Sequence, residues 1–598
     1  MTSITTQLAQ AFQKAIHDAT GLDADPAVAP AANPQFGDYQ CNAAMPLAKR
    51  LAEATGQKAN PRDLASQIVA KLALGDMAAD VSIAGPGFIN VRLSPDWLAG
   101  LLNEAAADPR LGVPTAAQPQ TVVVEYSSPN VAKEMHVGHI RSTILGDAAA
   151  RLLAFLGHKV IRQNHIGDWG TQFGMLIALL KEEGTKARRH EGTKGEDLKI
   201  ADLEDFYRRA KQRFDADPVF AEEARKTVVR FQAHEAEELG YWQKIVEESK
   251  RHFAPIYRRL NVQLGEPDVE KNANQDQPFE RGESAYNDRL PTITDELQAA
   301  GVAEASEGAV VSFAGGFKAP LMVRKSDGGY GYGTTDLAAA RFRAEELAAG
   351  RVIYFVDARQ ALHFKQVFAT VEAAGQKAGW GVQNTRFEHA SFGSILGEDG
   401  KPFKTRAGGT VKLSDLLDEA EQRALAVVKA RNPDLSAEGA QDLARAVGIG
   451  GIKYFDLSKD RTSDYVFSFD AMLSLDGNTA PYLQYAHARI RSIFRRAELP
   501  DDFTPHVATL TEVHELQLAK HLLKFGDTLS AVANDLKPHV LCSYLYELAT
   551  QFSGFYESCP VLKSEEPVRT TRLTLCALAG RTLATGLDLL GIEHPEQL

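Results

Sequence analysis

The chain has 598 residues, with 66 lysines and arginines against 78 aspartates and glutamates and a formal net charge of −12. A hydrophobic share of 44% beside 24% charged residues excludes a disordered chain, and no apolar run approaches the roughly 20 residues that cross a bilayer. The length allows about four domains, and the acidic total weighs against a nucleic-acid partner unless basic residues gather locally.

The opening stretch MTSITTQLAQAFQKAIHDATG reads as an amphipathic helix without the basic start, apolar block and cleavage site of a secretory signal. Residues 81–94, VSIAGPGFINVRLS, predict two short strands about a Gly-Pro-Gly turn, and a linker follows at 108–120. The run Val122-Val123-Val124 predicts a buried strand, which enters Ser-Ser-Pro-Asn and then a helix through HVGHIRSTILGDAAARLLAFLG. KVIRQNHIGDWG predicts a second strand with a functional loop. Strand, helix and strand in succession form a βαβ unit, hence a parallel sheet.

Residues 181–260 carry charges at helical spacing and predict a mostly solvated helical insertion. The βα pattern resumes at GAVVSF (308–313), runs through GYGTTDLAAARFRAEEL and includes RVIYFVDARQ (351–360). A loop covers 393–411, and from Leu413 onward the pattern is almost wholly helical. Cys41, Cys542, Cys559 and Cys576 lack CxxC spacing, which argues against a structural metal or a disulfide framework and for a cytoplasmic setting.

Two motifs carry chemistry. His136, Gly138 and His139 stand where the strand gives way to a helix. Glycine permits close approach there, a helix N-terminus favours phosphate, and two imidazoles on one face can donate to it. The bland alternative is a pair of surface or capping histidines. Lys401 and Lys404, in KPFKT, could clamp pyrophosphate or simply sit in a solvated loop. Neither GxGxxG after a strand nor GxxxxGK[ST] occurs, which removes ordinary Rossmann dinucleotide binding and P-loop chemistry.

Residues 131–170, VAKEMHVGHIRSTILGDAAARLLAFLGHKVIRQNHIGDWG, resemble the signature region of class I aminoacyl-tRNA synthetases, and more narrowly of arginyl-tRNA synthetases. EYSSPNVAKEMHVGHIRST, NHIGDWGTQFG, GYGTTDLAA, YFVDARQALHF and PYLQYAHARIRSI follow that family in its order.

The resemblance implies a multidomain α/β fold. It comprises an N-terminal α+β added domain (1–110), a Rossmann-like parallel-sheet catalytic domain (119–410) with its insertion, a helical connector (411–478) and an all-α anticodon-binding domain (479–598). It implies ATP-dependent attachment of arginine to its tRNA through arginyl-adenylate, with Mg²⁺ travelling with ATP, tRNA needed even for activation, no membrane partner and a monomeric enzyme. His136 and His139 would stabilise the adenylate-forming transition state, with Gly138 and Lys404 also meeting ATP. KPFKT keeps the lysines of the family's KMSKS but not its Met or Ser, and Lys133 matches a lysine that offsets this degeneracy.

The arginine pocket would comprise Glu125, Asn130, Tyr332, Asp336 and Gln360. Asp336 would take the guanidinium beside Tyr332 and Gln360, and Glu125 and Asn130 would meet the α-ammonium and carboxylate end. Tyr482, Arg489 and Tyr556 fall at anticodon-binding places, with Tyr485 and His487 near the same arginines. Asn33, Phe36 and Gln40 match contacts to the D-loop corner of tRNA. Two rivals remain: an HxGH nucleotidyltransferase acting on a small metabolite, and a non-catalytic tRNA-binding paralogue.

Overall fold

The computed structural model describes residues 2–31, 33–56, 59–170, 172–191, 203–264, 280–403, 411–497, 499 and 504–598. Lys404 lies outside the described residues.

The first helix, Ile4–Thr20, buries Ile4, Leu8, Phe12 and Ile16, a spacing that makes one apolar face. Ser3 Oγ accepts the Thr6 N–H at 3.1 Å to cap it, and Gly21 ends it in the left-handed region. Beside it lies an antiparallel sheet of β1 (Val28–Pro30), β2 (Tyr39–Cys41), β3 (Ala78–Ala84) and β4 (Phe88–Leu93), in the order β1-β2-β4-β3. The β3–β4 hairpin is the pair of strands expected at 81–94.

β5 (Thr121–Glu125) leads through the helix Ile140–Phe155 to β6 (Lys159–Gln163), which pairs with it in parallel. Val122, Val123 and Val124 have no exposed surface, as expected of a strand covered on both faces. GAVVSF departs from expectation. It forms β8 (Ala309–Ser312), the middle strand of a small antiparallel sheet between β7 (Glu304–Ser306) and β9 (Leu321–Arg324). Glu307 and Gly308 both have positive φ, the signature of a two-residue hairpin turn, and a hairpin forces antiparallel pairing.

β10 (Arg351–Tyr354) and β11 (Arg386–His389) complete the parallel sheet in the order β11-β10-β5-β6. The chain leaves β5 toward β6 on one side and returns later as β10 on the other. The crevice outside the carboxyl ends of β5 and β10 is therefore a switch point, where open α/β sheets bind ligands.

The insertion comprises the helices Gln172–Glu191, Leu203–Ala216, Pro218–Gln232 and Ala236–Arg259. It is helical as expected but not mostly solvated. Phe173, Phe206, Phe231 and Ile245 form a core of their own, while the charges pair outside, as Arg209 does with Asp205 at 2.8 Å. The last helix also sends Phe253 and Tyr257 into the main core.

Helices dominate after Leu413, with one exception: β13 (Tyr465–Val466) pairs in parallel with β12 (Ile395–Leu396). Arg141 on the Ile140–Phe155 helix meets Asp456 on the helix Ala437–Leu457 at 3.0 Å, both fully buried, and so locks the sheet domain to the helices that follow. Among the described residues no helix is long and apolar enough to cross a membrane.

Candidate active site

A cavity of about 500 Å³ opens at the switch point. Glu125, Asn130, Tyr332, Asp336 and Gln360 line it, together with His136, Gly138 and His139. Residues that are far apart in sequence meet there because β5 and β10 are neighbours. Asn130 follows the end of β5, and Gln360 closes the short helical turn Ala358–Gln360 after β10.

The histidine end is built from backbone hydrogen bonds. His136 Nδ1 accepts the Gly138 N–H at 3.1 Å, and His139 Nδ1 accepts the His136 N–H at 3.1 Å. A ring nitrogen that accepts carries no proton, so each neutral ring keeps its proton on Nε2 and can donate with it. Burial first, then His136 and Lys133, push the His139 pKa down to about 3. Burial and Lys133 also lower that of His136. Both imidazoles are therefore neutral donors at physiological pH. The rings lie 3.9 Å apart, and a Cβ at position 138 would come within 2.8 Å of the His136 ring, so only glycine fits.

Two backbone bonds pin this turn: the Val137 N–H to the Val411 carbonyl at 3.0 Å and the Leu413 N–H to the Met135 carbonyl at 2.9 Å. Pro402 and Phe403 line the cavity, whereas Lys401 is exposed on the preceding turn and does not. Lys133 does not line the cavity either. Its ammonium lies 4.6 Å from the centroid of the Tyr207 ring in the insertion.

The other end is acidic. Asp336 Oδ2 is 2.6 Å from His363 Nε2, and Oδ1 is 3.9 Å from His165 Nε2. Tyr332 is 66% exposed, and its ring meets His363 edge-on at 4.8 Å. Glu283, absent from the sequence expectations, also lines the cavity. Burial first, then the charges of Asp336 and Asp168, push its pKa up to about 8. Among the described residues neither Glu283 nor Asp336 is paired with a lysine or arginine. These crowded carboxyls without a lysine or arginine partner suit a guanidinium, whose charge would favour ionised Glu283.

Glu125 differs from that pattern. Its Oε2 lies 2.5 Å from Nη1 of the fully buried Arg343, whose Nε donates to Gln163 Oε1 at 2.7 Å. Glu125 thus enters the cavity with its charge already matched. No motif marked Arg343, which sits within an alanine-rich helix.

The helix Ala480–Ala497 faces the helix Pro538–Ser558. The Tyr482 ring lies 5.5 Å from Tyr546, and the Arg489 guanidinium lies 4.9 Å from the centroid of the Tyr556 ring. Arg496 Nη2 donates to Tyr556 Oη at 3.3 Å. Aromatic faces and guanidinium groups thus alternate along one partly exposed row. His487 is corrected: it is buried, with Nδ1 3.2 Å from the Pro595 carbonyl, and does not join that row. At the other end of the chain Phe36 is 52% exposed on a turn whose Asn33 Oδ1 accepts the Gln35 N–H, while Gln40 donates to Asn90 Oδ1 at 2.8 Å.

Three family models match the chain. The class I (R) tRNA synthetase catalytic domain covers residues 102–469, the DALR anticodon binding domain 483–598 and the arginyl tRNA synthetase N terminal domain 4–93. The chain is 51% identical over 598 residues to the arginine–tRNA ligase of Hahella chejuensis, covering 99% of each. Among solved structures it is similar to the arginyl-tRNA synthetase of Plasmodium falciparum (TM-score 0.84, 30% identity, 100% of each chain). It is also similar to that of Thermus thermophilus (TM-score 0.78, 28% identity, 100% of each chain).

Proposed function

The chain belongs to the arginyl-tRNA synthetases, and from that premise we propose how its residues divide the reaction. The enzyme attaches arginine to tRNA at the expense of ATP, through arginyl-adenylate. The observation that carries the residue assignment is the single cavity with neutral imidazole donors at one end and, at the other, the carboxyls of Asp336 and Glu283, which have no lysine or arginine partner among the described residues.

Arginine lies along the cavity with its guanidinium against Asp336 and Glu283, and Tyr332 covers it. Asn130 and the Arg343-backed Glu125 hold the α-amino and carboxylate end. That end then faces the ATP α-phosphate over Gly138. The carboxylate attacks phosphorus, and the Nε2–H groups of His136 and His139 donate to the phosphoryl oxygens as charge develops. Lys133, Lys401 and Lys404 are assigned to supply positive charge for the departing pyrophosphate, Lys133 and Lys401 from outside the cavity lining. Mg²⁺ accompanies ATP, bound chiefly by phosphate oxygens. The terminal ribose hydroxyl of tRNA then attacks the activated carbonyl, so no residue of the chain serves as a covalent nucleophile. The enzyme works as a cytoplasmic monomer.

Glu283 gives this reading a pH signature. Its carboxyl is mostly protonated in the free enzyme at pH 7, since its pKa stands at about 8. A bound guanidinium favours the ionised form, so below that pKa binding must release a proton. The arginine KM is expected to fall as pH rises from 6 to 8, by up to about tenfold per unit, and then to level off. In Glu283→Gln the slope should vanish and the KM should be higher throughout. An unchanged slope in that variant contradicts the assignment.

The Tyr482, Arg489 and Tyr556 row is assigned to unpaired anticodon bases, and Asn33, Phe36 and Gln40 to the outer corner of the tRNA. Arg489→Ala is expected to raise the KM for tRNA by roughly tenfold, in keeping with loss of one stacked or phosphate-bound guanidinium. Charging at saturating tRNA should change little. A lower kcat with an unchanged KM would place Arg489 elsewhere in the reaction.

A further inference from the structure

We propose that the helical insertion is a positioning device for the reaction, in which Tyr257 and Ser249 hold the loop bearing Asn130 and couple it to the HVGH turn. The proposal rests on the reading that the cavity holds arginine beside the reacting phosphate.

The loop after β5 has an unusual backbone. Ser127, Ser128 and Ala132 all have positive φ, at 70°, 49° and 64°. L-residues adopt that region only where the surroundings dictate it. The insertion's last helix, Ala236–Arg259, provides much of that dictation. Ser249 Oγ accepts the buried N–H of Ala132 at 2.9 Å, a group that would otherwise have no partner. Tyr257 Oη lies 2.8 Å from Ser127 Oγ and accepts from Asn164 Nδ2 at 3.1 Å. Asn164 Oδ1 in turn accepts the Ser128 N–H at 2.9 Å.

These contacts run on to the histidine turn. Thr143 Oγ1 donates to both the His139 carbonyl at 2.7 Å and Ser127 Oγ at 2.9 Å, sharing its one proton between them. Ser127 Oγ thus accepts from Thr143 and also bonds Tyr257 Oη, where either hydroxyl can donate. The result is one chain: Asn164 amide, Tyr257, Ser127 and Thr143 hydroxyls, ending on the His139 carbonyl. All four of these side chains are buried. Such a chain, satisfied throughout and screened from water, fixes its members relative to one another. The insertion thereby ties the arginine loop to the histidine turn through a single phenolic oxygen.

Tyr257→Phe keeps the ring and removes that oxygen. In tRNA-dependent ATP–pyrophosphate exchange, its kcat/KM for arginine is expected to fall about tenfold, with the KM for tRNA within about twofold of wild type. Rates are referred to titrated active sites, so misfolded protein does not count. Ser127→Ala should behave alike, and the double variant should be no worse than either single one, because both break the same chain. A purely structural hydroxyl would lower the melting temperature or the titrated fraction and leave the arginine kinetics of the remaining enzyme untouched. That result, or additive losses in the double variant, overturns the proposal. Asn130→Ala separates this from the underlying reading. A raised arginine KM there beside an unchanged Tyr257→Phe overturns the positioning role alone, whereas an unchanged KM in Asn130→Ala overturns the cavity assignment and this proposal with it.

Discussion

Replacing His139 by alanine is expected to lower arginine activation by about 10²–10³, the usual cost of removing one donor aimed at a developing charge. His139 is neutral and commits Nδ1 to the His136 N–H, which leaves Nε2–H as its free donor. Alanine removes that donor and also leaves the His136 N–H without its cap, so the neighbouring imidazole loses its placement. The surface assigned to tRNA lies on other helices, and the tRNA dissociation constant should stay near that of wild type. The depressed pKa adds a second expectation. With His139 neutral down to about pH 3, the wild-type rate should show no titration of this group between pH 5 and 8. Unchanged turnover in His139→Ala would remove the imidazole from the chemistry.

Asp336→Asn should be comparably severe but selective. The substitution keeps a side chain able to bond His363 and removes the charge that faces the guanidinium. Deleting one partner of a hydrogen-bonded charge pair costs about 2–5 kcal/mol, so kcat/KM for arginine is expected to fall by about 30-fold to 5,000-fold. The KM for ATP should hardly move. Stability should not fall either, because Asp336 is one of the charges that, with burial, keep Glu283 protonated. Relieving that crowding leaves the melting temperature equal or higher, as when function is bought with strain. An equal loss of ATP affinity, or a lower melting temperature, would contradict a specific role in reading arginine.

Several features were legible from local pattern. Three consecutive valines marked β5, and the glycine between two histidines marked a strand-to-helix turn with its donors outward. The five residues expected to line the arginine pocket do line one cavity, because neighbouring parallel strands carry two of their loops to the same edge.

What escaped the sequence reading depends on contacts between distant segments. Glu283 reaches the site because the chain returns alongside the loop after β6, with the Glu283 N–H bonded to the Ile166 carbonyl at 3.1 Å. Nothing in GESAYNDRL marks that return. Arg343 looks like one more charge on an alanine-rich helix until the fold buries it against Glu125. In GAVVSF a hydrophobic run looked like a parallel strand, and only the left-handed Glu307 and Gly308 at its start made it a hairpin. The insertion looked solvated because its charges outnumber its aromatics, yet Tyr257 and Ser249 face inward. Net charge is a global sum: the −12 total leaves room for a local row of arginines and aromatic rings.

The most direct test of the central claim is a structure of the enzyme with a non-hydrolysable arginyl-adenylate analogue. The account predicts the guanidinium within about 3 Å of both the Asp336 and Glu283 carboxylates. It also predicts the phosphate mimic beside the Nε2 atoms of His136 and His139, with Gly138 beneath it. A guanidinium seated away from both carboxylates, or a phosphate mimic out of reach of both imidazoles, would contradict it.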